Sequence, residues 1–216
     1  MKTALLVVMV CAGLSAARAW ADEVTYQFRS VEDPAFPPDD SVCAQAPFRV
    51  NVKLGASLWS QHTRAVDGRV VLPKVLRVGR ATACVELTNF LFPPGLAQNF
   101  YVVFDLPSGR YTAVGTCTLT SNDVPTAGLV LAGCALDVVA GPQGVVGGVA
   151  TSASTFNPAR LAGYSTGSSW TLQAYTSAPV GWWPWPGSTG WAFHDDTRTE
   201  AALAAARARL GGRHVR

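Results

Sequence analysis

The stretch Phe100–Ser152, FYVVFDLPSGRYTAVGTCTLTSNDVPTAGLVLAGCALDVVAGPQGVVGGVATS, decides the fold. Short apolar runs recur along it, separated by turn residues. Strands are expected at Phe100–Leu106, Arg110–Thr120, Gly128–Val139 and Val145–Ser154. Pro107-Ser108-Gly109, Asn122–Gly128 and Gly141-Pro142-Gln143-Gly144 supply the turns, because proline presets φ and glycine accepts positive φ. Phe156-Asn157-Pro158 breaks the pattern, and Ser168–Tyr175 (SSWTLQAY) resumes it. With no helical pattern between them, such evenly spaced strands indicate a sandwich or barrel. The expected class is all-β, an antiparallel barrel of about eight strands, since closure removes exposed strand edges.

Working outward, Ala81–Leu87 (ATACVEL) is a further strand, ended by Phe92-Pro93-Pro94-Gly95. Asp67-Gly68 signals a turn, and Pro73 in the run after it implies an edge or a break. Pro47–Trp59 alternates at Phe48, Val50, Val52 and Leu54, as a half-buried strand does. Val24–Phe28 forms a first short strand. Between these two lies EDPAFPPDD, Glu32–Asp40, whose prolines exclude regular structure. Its acids suit calcium, but the spaced ligands and glycine turn of a calcium loop are missing, so it reads as an exposed linker.

The first residues read as an export signal: Lys2, the apolar run Ala4–Leu14, and Ala19-Trp20-Ala21 before Asp22. The apolar run is too short to span a bilayer as a helix. Cys11 would leave with the signal. Lys2 and Arg18 would leave too, taking the 17 basic residues to 15 against 14 acidic ones, and the formal charge from +3 to +1. Five arginines (Arg198, Arg207, Arg209, Arg213, Arg216) sit in the tail, so charge gives no argument for nucleic-acid binding. The expected organisation is a signal peptide at 1–21, an N-terminal strand and Pro/Asp-rich linker at 22–46, and a barrel at 47–178. A Trp/Pro-rich loop at 179–196 and a C-terminal helix with a basic tail at 197–216 follow. That helix rests on the capping box Thr197–Glu200, the run AALAAARARL, and Gly211-Gly212 as a stop. The chain is expected to be secreted, without a transmembrane segment.

Cys43, Cys84, Cys117 and Cys134 remain, and an even count in an exported chain reads as two disulfides. Cys117 and Cys134 lie almost symmetrically about SNDVPTAG and would face each other across a hairpin. That leaves Cys43 with Cys84. Spacing typical of zinc ligands is absent, and no metal or cofactor is expected.

The order Arg77-Val78-Gly79, a strand with Cys84, FYVVFDLPSGRYTAVG and the glycine-rich AGPQGVVGGVATS resembles the allene oxide cyclase and dirigent group of small β-barrels. Gly141, Gly144, Gly147 and Gly148 take the glycine positions of that group with one residue of slippage. The resemblance covers roughly Asp67–Ser154 and rests on glycine punctuation and strand order. It implies an eight-stranded antiparallel barrel with an apolar lumen, often assembled as a homotrimer. The cyclases isomerise a fatty-acid epoxide with a bound water and a carboxylate, whereas the dirigent proteins hold phenolic radicals without oxidising them. Glu32 lies in the region that supplies the cyclase carboxylate, but its spacing from Tyr26 departs from the family pattern and prolines intervene. The activity is therefore not carried over.

Few residues point to chemistry directly. Gly163–Gly167 (GYSTG) matches GxSxG, but a strand pattern follows where a hydrolase needs a helix, so it reads as a turn. Glu86 shares a face with Cys84 while Val85 and Leu87 take the other, which puts it outside a core built on Val85 and Leu87. Glu32 and Glu86 are the two weak candidates for an acid or base. Asp105 and Asp137 lie in or beside strands. His62, His194 and His214 are scattered and read as surface residues. Trp182, Trp183, Trp185 and Trp191 form the most unusual stretch. They are candidate stacking faces for a sugar or phenolic ring, or for a partner or membrane surface. Otherwise they form a cap folded back over a barrel end.

These readings favour non-catalytic binding of a small apolar or aromatic molecule. An isomerase of the same fold is the first alternative, and a surface or matrix interaction module using the tryptophans is the second. The glycines and prolines around the tryptophans favour the cap. Trp183→Ala is then expected to lower stability by about 3–5 kcal/mol, the range for core aromatics. An unchanged melting curve for Trp183→Ala, and separately for Trp185→Ala, would assign the rings to binding instead.

Overall fold

The computed structural model describes residues 21–61, 64–66, 69–71 and 75–177, together with the single position 204. The expected signal peptide apart from Ala21, the Trp/Pro-rich loop with Trp182, Trp183, Trp185 and Trp191, and the three histidines lie outside the described residues. So does the C-terminal helix, apart from position 204. The described residues form these elements: β1 (Ala21–Glu32), α1 (Asp40–Cys43), β2 (Val52–Ser60), β3 (Arg64–Val66), β4 (Arg69–Val71), β5 (Arg77–Glu86), β6 (Ala97–Leu106), β7 (Gly109–Ser121), β8 (Val130–Ala140), β9 (Val145–Phe156) and β10 (Gly167–Ser177).

Eight of these close into one antiparallel barrel in the order β1-β10-β9-β8-β7-β6-β5-β2, while β3 and β4 pair with each other outside it. Each barrel strand neighbours the next in the chain. The barrel is therefore a meander closed on itself, of the class that alternation and turn chemistry indicated. The expected turns fall where strands reverse, and Gly109 shows why: its φ of +127° is a value that L side chains rarely adopt. β1 differs from its expected role. It extends the short strand at Val24–Phe28 in both directions and is a stave of the barrel, hydrogen-bonded to β10 and β2.

Alternation assigns the faces. Val102 and Phe104 of β6, Ala113 and Cys117 of β7, Leu136 and Val138 of β8, and Trp170 and Leu172 of β10 point inward into one core. Eight strands enclose a space just wide enough for such side chains to fill. A second, smaller cluster lies on the outer wall, where Val42 and Cys43 pack with Cys84, Tyr101, Val103 and Val114. Here the Pro/Asp-rich linker folds back over the barrel. Phe48 and Val50, which alternate as if in a strand, pack in this outer cluster, and β2 begins only at Val52.

Several contacts hold the linker. Asp39 caps α1 by accepting from the Ser41 amide at 2.8 Å, and Asp40 pairs with Lys53 at 2.6 Å. The Arg77 guanidinium sits 3.9 Å over the Phe36 ring. The Phe36 carbonyl lies so close to Gly55 that a Cβ there would be 1.8 Å from the oxygen, so only glycine fits.

Both expected disulfides are present. Cys43–Cys84 ties the linker to the outer wall, and Cys117–Cys134 joins directly opposed residues of β7 and β8. Cys43–Cys84 closes a 41-residue separation. Chain entropy assigns such a loop about 4 kcal/mol, so a Cys43→Ala/Cys84→Ala chain is expected to lose about that much in urea unfolding. Non-reducing peptide mapping should yield Cys43–Cys84 and Cys117–Cys134 peptides and none linking Cys43 to Cys117.

Candidate functional site

The lumen is divided by an aromatic plug. Phe28, Phe104 and Trp170 are buried at its centre, with Phe104 edge-on to both neighbours at centroid distances of 5.1 Å. Phe100 leans on Trp170 at 6.2 Å. Tilted and edge-on pairings are favourable for aromatic quadrupoles, at about 0.5–1.5 kcal/mol per pair. The Trp170 Nε1–H donates to Ser30 Oγ at 3.1 Å, so its polar tip is satisfied. The plug leaves space on either side.

Above it, toward loops 87–96 and 157–166, lie two apolar chambers of about 70 and about 50 Å3. Leu54 and Thr166 belong to the walls of both. The larger chamber is bounded by Val85, Phe100, Ala132 and the Cys117–Cys134 disulfide. Phe92 and Phe156 meet beside it with centroids 5.6 Å apart. Phe92 has φ of +51°, a left-handed conformation that is a genuine outlier for a bulky residue. The next residues outward, Phe90 and Leu91, are 64% and 82% exposed. Ser154 Oγ lies 3.8 Å from Cys134 Sγ and 2.8 Å from Ser152 Oγ, so the few polar atoms here satisfy one another.

Below the plug, Tyr26 and Tyr111 join hydroxyls at 3.1 Å beside a recess of about 310 Å3. The recess is bounded by Tyr26, Phe28, Ser60, Val78, Leu106 and Ser108, among others, next to Phe28↔Ser60, the last β1–β2 pair among the described residues. Burial, with the Tyr26 hydroxyl adding to it against the Ser108 hydrogen bond, pushes the Tyr111 phenol up to about 12. Tyr101, in the outer cluster, is also raised, mainly by burial.

The candidate carboxylates fall in different places. Glu86 is on the outer face, where it accepts a hydrogen bond from Asn99 Nδ2 at 2.7 Å, while Val85 and Leu87 are buried. Glu32 continues the inward series Tyr26, Phe28, Ser30 and bounds the smaller chamber, but it sits at the exposed rim. Asp105 points outward between Arg80 and Arg110, at 3.1 and 2.7 Å. Burial opposes its charge, and the two guanidiniums overcome that to hold its carboxyl below the ordinary value. Asp33 is also lowered, by the Ser57 hydroxyl and the Ala35 amide. Ser165 lies in an exposed loop followed by β10, not by a helix.

Sequence reasoning missed the chambers, the roofing pair Phe92 and Phe156, and the inward face of the second disulfide. Only the last had a signal, because Cys117 shares parity with the inward Tyr111 and Ala113.

Tyr111 carries a pH consequence. Its folded pKa lies above the unfolded value of roughly 10. The stability it contributes is complete below pH 10 and is lost as pH rises through about 12. Absorbance titration at 295 nm should show late ionisation of Tyr101 and Tyr111 among the five tyrosines, and stability should fall over the same window. No family model, curated protein or solved structure matches this chain.

Proposed function

We propose that this protein binds a small apolar or aromatic molecule, without transforming it, in the upper half of its barrel and outside the cytoplasm. The observation that carries this reading is the pair of neighbouring apolar chambers inside the closed barrel, which share Leu54 and Thr166 in their walls, with Phe92 over the larger and the aromatic plug beneath. Ligand sites are concave, mostly apolar and fitted with few polar groups. At about 70 and about 50 Å3 each chamber is smaller than the roughly 150 Å3 cavity that accepts benzene, so the ligand class is a small ring or a short hydrocarbon chain. The exposed Phe90 and Leu91 place further apolar surface outside the mouth. Two disulfides fit an oxidising compartment, which supports secretion. The sequence resemblance to the dirigent group of barrels implies the same class of ligand.

The isomerase reading has one observation in its favour, the Glu32 position on the chamber wall. Its carboxylate sits at a solvent-exposed rim, not in a dry lumen, so the binding reading is preferred.

Calorimetric titration with p-cresol and with 1-hexanol tests the reading. Binding to the native chain is expected. Ala132→Leu, which fills the larger chamber, should abolish it. Phe92→Gly relieves the left-handed strain while removing the roof, so it should weaken binding about tenfold with little change in melting temperature. Glu32→Gln should leave the affinity unchanged. Undiminished binding to Ala132→Leu would move the site out of the chambers, and turnover lost with Glu32→Gln would favour the isomerase.

A further inference from the structure

The few polar side chains of the larger chamber decide what that space can hold. They belong to Gln98, Ser154, Thr155 and Thr166. Three of them are accounted for. Ser154 Oγ bonds Ser152 Oγ at 2.8 Å. Thr166 Oγ1 accepts from the Asn157 amide at 3.2 Å, which fixes the loop before β10. Thr155 lies between the inward Ser154 and Phe156 on β9, so alternation sends its side chain outward.

Gln98 differs. It is the second residue of β6, opposite Cys117 of β7. Asn99 beside it turns outward to Glu86, and Phe100 turns inward to Trp170. Alternation therefore sends the Gln98 side chain inward, on the face of Phe100. Its amide makes no hydrogen bond among the described residues, and it is not one of those with a further interaction. No fully buried side-chain nitrogen or oxygen among the described residues lacks a partner, so the half-buried Gln98 amide reaches open space at the chamber wall. A hydrocarbon that fills the chamber strips water from this amide and returns no hydrogen bond. A hydroxyl or carbonyl oxygen restores one. The described residues lining this chamber carry no charge, so a carboxylate or ammonium head would be buried there without a counter-ion.

We propose that Gln98 selects the chamber ligand, and that the ligand is a small neutral molecule bearing one hydroxyl or carbonyl oxygen. The amide holds that oxygen, and the hydrocarbon part lies along the face of Phe100. One amide serves both head groups because glutamine carries donors and an acceptor. Gln98 and Phe100 are two residues apart on one strand face, roughly 6.6 Å, a span that one substituted ring or a short chain covers. The proposal rests on the binding reading above and adds the oxygen to it.

Calorimetric titration of the whole chain with p-cresol and p-xylene tests this, since the two differ only by hydroxyl against methyl. Gln98→Met keeps the length of the side chain and removes the amide. The ratio of the p-xylene Kd to the p-cresol Kd should fall about tenfold in Gln98→Met. The greater hydrophobicity of p-xylene cancels in that comparison. The melting temperature of the ligand-free variant should stay close to the native value, because the amide has no protein partner to lose. In the native chain, the Gln98 side-chain amide resonances should move with p-cresol and far less with p-xylene. An unchanged ratio, or equal movement with both probes, would overturn the role of Gln98 and leave the binding reading standing. A marked fall in melting temperature would show that the amide is already bonded within the protein, and would also overturn it. Binding of neither probe to the native chain would overturn both.

Discussion

The contact on which the rest of the structure depends is the two-sided pairing of β1. An antiparallel meander of eight strands has two edges. Here the first strand joins the last through continuous pairing from Ala21↔Ser177 to Val31↔Gly167, and joins β2 through Phe28↔Ser60 to Glu32↔Ala56. Closure turns one face of every strand into an interior, and the interior must then be filled. Phe28 on β1, Phe104 on β6 and Trp170 on β10 do so at mid-height and lock three separate staves together. Among the described residues the β1–β2 pairing ends at Phe28↔Ser60, and the recess lies beside that pair.

Much of this fold was legible because turn chemistry and two-residue alternation are local. Pro107-Ser108-Gly109 and Gly141–Gly144 fall at strand reversals, and the near symmetry of Cys117 and Cys134 about SNDVPTAG identified a cross-strand disulfide. β1 was legible only in its middle. Glu23, Arg29 and Glu32 interrupt its apolar character, yet each sits on the outer face or at the rim, where charge costs little. The alternation at Phe48 and Val50 misled for the opposite reason. Periodicity reports that a side chain is covered, not what covers it. A linker tied by Cys43–Cys84 creates a second apolar surface outside the barrel, and that surface takes up Phe48 and Val50.

The candidate site was far less legible. The parity of Glu86 with Cys84 placed that carboxylate outside the core, and its partner Asn99 lies on the neighbouring strand. No motif marks the chambers, however. They exist because small side chains from strands far apart in sequence, Ala56 on β2, Ala83 on β5, Ala132 on β8 and Ser154 on β9, face one another above the plug. Each of these is unremarkable in its own strand, and the space they leave appears only once the barrel is closed.

The roof over that space is itself held under tension. Phe92 keeps its left-handed backbone because the loop around it is fixed on both sides. The Asn89 side chain accepts from the Leu91 amide at 2.8 Å, and the Gly95 amide donates to the Leu119 carbonyl at 2.8 Å. Strain of this kind costs about 1–3 kcal/mol. A ring-sized molecule that buries about 100 Å2 of apolar surface gains about 2.5 kcal/mol at ~25 cal/mol per Å2. The two quantities are of the same order. Relief of the Phe92 strain would therefore be worth about as much as burial of one ring-sized apolar surface.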